Sequence, residues 1–489
     1  MRRFELDEQS IIPAGVEVLK LNFNFPYYPL IPDTVRTIIL GEKFCGKVEF
    51  LRLPSSLDTM NLGDYDTEIF SHMFPDSLKV LDMGDLYSHE IHPHSLPKNL
   101  SKLTLSPEYS HPITSNIFPK TLEFLFLRSF DNLISLPENL VELELVNCCN
   151  RIIDVGTLPN TIRSLALGGV YNHDLIAIPN NLKRLHLRCE HDRELDNRIL
   201  PETIEYMHLG EYTREFNKTT FPPFLKGLNL GWKYNKKIHS ADFPDTLEKL
   251  NLGLKYSTPL DEFSLPVNLS CLKLGPKYSH KLNSRIFPES LWSLYIGRKY
   301  PHQLEKNSLP KYLKKLFINN NQPIYPDIFP DTLTELNMGF SYTHHISKTV
   351  LPASLKVLHF SNRSVQSINS DFLPDSIEHI KLGYGFNYDI DINFLPLNLK
   401  YVEIANAKNL EIFNRMASAL YFSIICSDVL LTADIKVVYP FLYKPNGQFF
   451  GNFEKIGSVM IDTQPFDIMI NPATYQPGRR AKSAKKLIN

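Results

Sequence analysis

Residues 244–265 read PDTLEKLNLGLKYSTPLDEFSL. The next 22 residues read PVNLSCLKLGPKYSHKLNSRIF, and the 22 after those read PESLWSLYIGRKYPHQLEKNSL. Each unit opens on a proline and places apolar residues three, six and eight positions later. Glycine follows at nine, an aromatic at twelve, an apolar residue at sixteen, and Leu or Phe just before the next proline. Self-similarity at a fixed period of this size is the signature of a solenoid. In a solenoid each unit buries its apolar face only by stacking on its neighbours.

The proline recurs outward from this stretch in both directions. It stands at Pro13, Pro32, Pro54, Pro75, Pro97, Pro119, Pro137, Pro159, Pro179, Pro201, Pro222, Pro244, Pro266, Pro288, Pro310, Pro330, Pro352, Pro374 and Pro396. Twelve of the eighteen intervals are 22 residues, and the others are 18 to 21. Leu250 and Leu252 alternate with the polar Lys249 and Asn251, the period-two pattern of a strand with one buried face. The pattern predicts one strand per turn, stacked in parallel. The return half, with Tyr256, Leu260 and Leu265 facing inward, is too short and aperiodic for a helix and should be extended or turn-like. The glycine after most strands, as at Gly63, Gly84, Gly253, Gly275, Gly297 and Gly383, suggests a corner with positive φ. The expected fold is a β-rich solenoid whose parallel sheet has about nineteen 22-residue turns and a C-terminal cap. The expected divisions are an N-terminal end strand (1–11), the repeat solenoid (12–404), a capping segment (405–477) and a basic tail (478–489). The capping segment has strand-like runs at 435–442 and 455–461.

The leucine spacing Leu247-x-x-Leu250-x-Leu252 resembles the strand segment of leucine-rich repeats. The whole unit, aromatic–polar–x–x–Ile/Leu, then a Leu/Phe–Pro pair, then the leucine strand, resembles the FNIP repeat of slime moulds and amoeba-infecting giant viruses. Tyr109-Ser110-His111-Pro112-Ile113 and Tyr256-Ser257-Thr258-Pro259-Leu260 are the nearest local matches, and Tyr234-Asn235 and Phe386-Asn387 keep the asparagine. The tetrapeptide Phe-Asn-Ile-Pro itself does not occur. The resemblance covers about residues 12–404 and implies a leucine-rich-repeat-like fold without catalytic residues. Several viral members of that family carry an F-box before the repeats. The sequence ahead of Pro13 is too short for one, so no ubiquitin-ligase adaptor role is expected.

Net charge is −1 in 489 residues, which provides no global electrostatic drive toward nucleic acid or acidic membrane. The start, MRRFELDEQS, does not read as a signal peptide. No apolar run approaches the ~20 residues of a membrane helix. The six cysteines sit at different offsets in the repeat and read as free thiols in a reducing compartment. The expectation is therefore a cytoplasmic, intracellular monomer without cofactor or metal. It would not bind nucleic acid or membrane, and its partner would be an unidentified protein.

His89, His111, His173, His280, His302 and His344 all stand fourteen residues after their prolines. They read as a solvent-facing ladder, because a structural zinc needs four ligands and no cysteine or carboxylate column accompanies them. Cys189, His191 and Asp192 lie in one turn without a clear fourth ligand. The tyrosine column of Tyr87, Tyr109, Tyr171, Tyr234, Tyr256, Tyr278, Tyr300 and Tyr342 is in phase with the repeat and reads as packing. More informative are the outward strand positions, five and seven after each proline. Most are polar, but Phe124 and Phe126 share one strand. Tyr295 and Phe317 occupy neighbouring strands, with Trp292 at their edge and Lys314 and Lys315 beside them. Aromatics with a basic rim suit a binding hot spot, and extra packing against the C-terminal segment is the alternative reading. The expected function is a non-enzymatic protein–protein interaction scaffold. The alternatives are a structural or packaging component, or an enzyme using Cys426, Asp428, Asp434, Asp462 and Asp467 in the C-terminal segment.

Overall fold

The structure, a computed structural model, describes residues 12–404 apart from short stretches (14, 23–29, 45, 129–131, 147–151, 348, 365–367, 369–371, 384–385 and 387–394), together with two outlying strands. All of these lie in one unit of the chain, Met1–Gly447; the second unit, Gln448–Asn489, is outside the described residues. So are the strand-like runs at 435–442 and 455–461, the basic tail and the carboxylates of the alternative enzyme reading.

Among the described residues every turn contributes one short strand. The first seven are β1 (Arg3–Leu6), β2 (Val18–Leu21), β3 (Thr37–Leu40), β4 (Thr59–Asn61), β5 (Val80–Asp82), β6 (Lys102–Thr104) and β7 (Phe124–Leu127). Then come β8 (Glu142–Leu145), β9 (Ser164–Gly169), β10 (Arg184–Cys189), β11 (Tyr206–His208), β12 (Gly227–Asn229), β13 (Lys249–Asn251) and β14 (Cys271–Lys273). The last are β15 (Ser293–Ile296), β16 (Lys315–Ile318), β17 (Glu335–Asn337), β18 (Val357–His359), β19 (His379–Leu382), β20 (Tyr401–Ile404) and β21 (Ser423–Cys426). Each pairs in parallel with the next, and the leucine columns align: Leu228 opposite Leu250, Leu250 opposite Leu272, Leu272 opposite Leu294. The expected parallel solenoid is thus borne out, with β2 to β20 each following one of the nineteen prolines. Beyond the last proline, β21 pairs Ile424 with Val402, 22 residues on. The sheet therefore runs one strand into the segment expected to cap it.

The repeat letters each have a physical task. The proline carbonyl accepts the N–H three residues on, as from Leu247 N–H to Pro244 at 3.0 Å, closing a turn before the strand. The proline's own missing N–H is harmless because it lies outside the ladder. A hydroxyl two positions on ties adjacent turns: Thr246 Oγ1 donates to the carbonyls of Pro223 and Leu225, both at 2.9 Å. Leu247, Leu250, Leu252, Tyr256, Leu260 and Leu265 are all buried, which places both halves of the turn against one core. Return segments combine extended stretches with tight turns, some of them short 3-10 turns such as Ser240–Asp242 and Ser284–Ile286.

The corner glycines require a correction. Gly63, Gly84, Gly210, Gly231, Gly253 and Gly339 do have positive φ. Gly275, Gly297 and Gly383 do not. A Cβ on Gly275 would stand 1.9 Å from the carbonyl oxygen of Gly253, and one on Gly383 would stand 2.5 Å from that of Ser361. At these corners the close approach of the preceding turn's backbone, rather than dihedral freedom, selects glycine.

Candidate docking face on the open sheet

Strand positions five and seven alternate with the buried leucines and so form the sheet's open face. Many position-seven side chains are tied to their own corner: Asn61, Asn229, Asn251 and Asn337 accept the N–H of the glycine two residues on, at 2.7 to 2.9 Å.

Tyr295 and Phe317 lie directly opposite each other on β15 and β16. Their rings stack with centroids 4.2 Å apart and planes 11° apart, and both are half-buried. Lys273, one strand earlier, holds its ammonium 4.6 Å from the Tyr295 ring centre. The column is thus cation, ring, ring. Trp292, 37% exposed, precedes β15, and its carbonyl accepts the N–H groups of Lys314 and Lys315. Lys314 and Lys315 are both exposed, and Lys315 pairs with Glu335 at 2.9 Å. The structure therefore brings Trp292, Tyr295, Phe317, Lys314 and Lys315 into two successive turns. Phe124 and Phe126 form a separate patch on β7, eight strands before β15. Lys102 covers Phe124 at 4.2 Å, and Arg128 lies 5.9 Å from the Phe126 ring centre.

The regular histidines bind the preceding turn. His111, His280, His302 and His344 place Nε2 2.6 to 3.0 Å from the carbonyls of Ser88, Ser257, Ser279 and Asn321. A carbonyl only accepts, so Nε2 carries the proton and its lone pair is not free for a metal. Each ring also sets its edge against the tyrosine two residues earlier, as Tyr278 and His280 do at 5.8 Å. The tyrosines are buried and stacked, Tyr234 on Tyr256 at 6.3 Å and Tyr256 on Tyr278 at 6.5 Å, and burial raises the Tyr278 hydroxyl to about 12. Cys189, His191 and Asp192 do not converge. His191 is wholly buried in the place of a column tyrosine, and burial lowers it to about 4. Asp192 accepts from the N–H and hydroxyl of Thr213 instead.

Two features of the open face are not apparent in the strand pattern alone. His186 and His208 stack in register on β10 and β11 at 6.4 Å, and the Trp232 ring meets His208 edge-on at 5.4 Å. Burial, then Arg188, lowers His186 to about 3 and His208 to about 4. Gly210 N–H donates to His208 Nδ1 at 3.1 Å, which leaves the proton of the neutral ring on Nε2. A second feature is a cleft of about 420 Å³ beside β2 to β5, floored by Gly41, Gly63 and Gly84 and bordered by Lys43, Glu42, Asp64 and Asp85. Two of its carboxylates are engaged: Asp82 accepts from Gly84 N–H and Asn61, and Asp85 pairs with Arg128. The cleft shows that residues seven, nine, ten and eleven positions after the proline border one groove. Among the described residues no helix is long and apolar enough to cross a membrane, and no group of three or more His, Cys, Asp or Glu is placed to hold a metal ion.

No curated protein matches the chain. The crystal structure of CroV588, described as a novel circular LRR protein structure, is similar at 26% identity with a TM-score of 0.50. The similarity covers 87% of this chain and 71% of that one. The structure of a TLR13–ssRNA13 complex is similar at 15% identity with a TM-score of 0.50, covering 79% of this chain and 73% of that one, a likeness of fold alone. The FNIP Repeat family model matches residues 87–130, 212–255, 234–277, 278–320, 321–363 and 366–406, each match spanning about two of the turns described above. The chain therefore carries FNIP repeats, folded as a leucine-rich-repeat-like parallel solenoid.

Proposed function

We propose that this chain is a non-enzymatic interaction scaffold that receives a protein partner on the open face around β15 and β16. The observation that carries the reading is the stacked Tyr295–Phe317 pair with Trp292 and Lys314 at its edge. Aromatic anchors surrounded by charge concentrate binding energy in a small area. Their setting supports a partner rather than internal packing, since the rings stand on the solvent side of strands whose leucines already fill the core. Repeat solenoids of this kind present long surfaces suited to such contacts. Phe124 and Phe126, each under a cation, are a secondary contact point in this proposal.

The test is the double substitution Tyr295→Ala with Phe317→Ala, used as bait in native cell extract beside the unaltered chain. The expected result is an unchanged melting temperature with strong loss of a defined partner. A fall in stability without loss of the partner would show that the pair serves the fold instead.

A further inference from the structure

The charge of this chain is not spread evenly. Residues 266–320 hold ten lysines and arginines against two acidic residues, a net charge of +8 in a chain whose total is −1. Residues 54–96 hold eight acidic residues against one lysine. The basic excess is therefore local, and it coincides with the turns that carry Trp292, Tyr295 and Phe317.

Part of that charge is neutralised on the return side, where Lys281 pairs with Glu305 at 3.1 Å and Lys306 with Asp327 at 3.6 Å. On the corner beside the open face it is not. Lys233, Lys255, Lys277 and Lys299 occupy the same position, eleven after the proline, in four successive turns, and all are exposed. Lys233 meets Glu211 from the corner before it, at 2.5 Å. At the corresponding places Lys255, Lys277 and Lys299 find Trp232, Leu254 and Pro276 instead of an acid. Among the described residues no carboxylate is in ion-pair range of Lys255, Lys277, Arg298, Lys299 or Lys314. Neighbouring turns are spaced about 4.8 Å apart, so these lysines form an uncompensated row of like charge. Stacked like charges are destabilising by themselves. The neighbouring column on the open face, seven after the proline, holds Lys273 and the two aromatic rings.

We propose that the face across β13 to β16 and its adjoining corner docks an acidic polypeptide segment of a separate protein. Carboxylates of that segment meet Lys255, Lys277, Arg298, Lys299 and Lys314, and an apolar side chain rests on the ring edges of Tyr295 and Phe317. This rests on the scaffold reading above and adds the chemistry of the partner. A polypeptide fits better than a single-stranded nucleic acid because Tyr295 is sandwiched between Lys273 and Phe317, which covers both of its faces and one face of Phe317. Base recognition by stacking needs open faces. The chain's own tail, 478–489, is basic and would be repelled.

The test measures binding of a labelled peptide of alternating glutamate and leucine to the full chain by fluorescence anisotropy. Comparison probes are the same peptide with glutamine for glutamate and single-stranded oligothymidine of equal charge. The glutamate peptide should bind, weaken as salt rises, and lose roughly tenfold or more with Lys255→Glu, Lys277→Glu and Lys299→Glu together. The corresponding Lys→Gln triple variant, with circular dichroism on both, guards against a folding defect and should show an intermediate loss. Absence of binding at low salt, or binding indifferent to the charge reversal, overturns the proposal. Equal binding of the glutamine peptide also overturns it, yet leaves the scaffold reading standing. Preference for oligothymidine reassigns the face to nucleic acid. Salt-sensitive self-association abolished by the same variants reassigns it to a second copy, through the acidic turns of residues 54–96.

Discussion

Gly275→Ala isolates the reason for the corner glycines. Gly275 has ordinary backbone dihedrals, so alanine meets no left-handed strain there. Its Cβ would instead lie 1.9 Å from the Gly253 carbonyl oxygen and 3.1 Å from that carbonyl carbon. Relief requires the two turns to separate by about 1 Å, and forcing an extra methyl into packed structure costs about 1–3 kcal/mol. The obstacle is backbone held on both sides by a parallel ladder, so the upper half of that range is expected. Gly156→Ala is the control: φ is +90°, but nothing lies within 4 Å of the new Cβ. It carries left-handed strain of about 1–2 kcal/mol, offset by about 0.4–1 kcal/mol through the less flexible unfolded chain. Gly253→Ala combines both penalties, with φ at +78° and the Gly231 oxygen 1.9 Å away. The expected order of destabilisation is Gly253, then Gly275, then Gly156. Urea unfolding gives the order, and hydrogen exchange should localise the Gly275 defect to the turns of β13, β14 and β15, because repeats couple to nearest neighbours. If Gly275→Ala is as mild as Gly156→Ala, close approach is not what selects glycine.

Leu250→Ala should cost about 2–5 kcal/mol at its own turn, with protection intact in distant turns; uniform loss of exchange protection would contradict the one-dimensional coupling. His191 is held neutral by burial, its pKa lowered to about 4 from 6.5. Its contribution is full above pH 6.5 and is lost as pH falls toward 4, by about 3 kcal/mol at most. His191→Tyr should therefore flatten the stability profile between pH 6.5 and 4 relative to the unaltered chain; identical profiles would refute this. Removing β21 by ending the chain after Ile404 should leave the β20 edge open and promote association, which sedimentation at increasing concentration would reveal.

The repeat made the fold legible because a solenoid writes its geometry into local spacing. Leu247, Leu250 and Leu252 recur at one pitch, and stacking in register is the arrangement that buries them all. The same regularity revealed Tyr295 and Phe317 as departures on neighbouring strands. What the spacing leaves open is how one turn's atoms meet the next. Gly253 and Gly275 are the same letter at the same offset, yet one has positive φ and the other only needs room for a neighbouring carbonyl. His280 looks like a free surface imidazole until the Ser257 carbonyl is found at 2.6 Å. Lys233 and Lys255 are equivalent in sequence, but Glu211 pairs with the first and Trp232 stands where the second would find an acid. Local spacing determines which residues face the core and which face out. Whether an outward residue is spent or available depends on its neighbour 22 residues away, a distance that only stacking of the turns converts into contact.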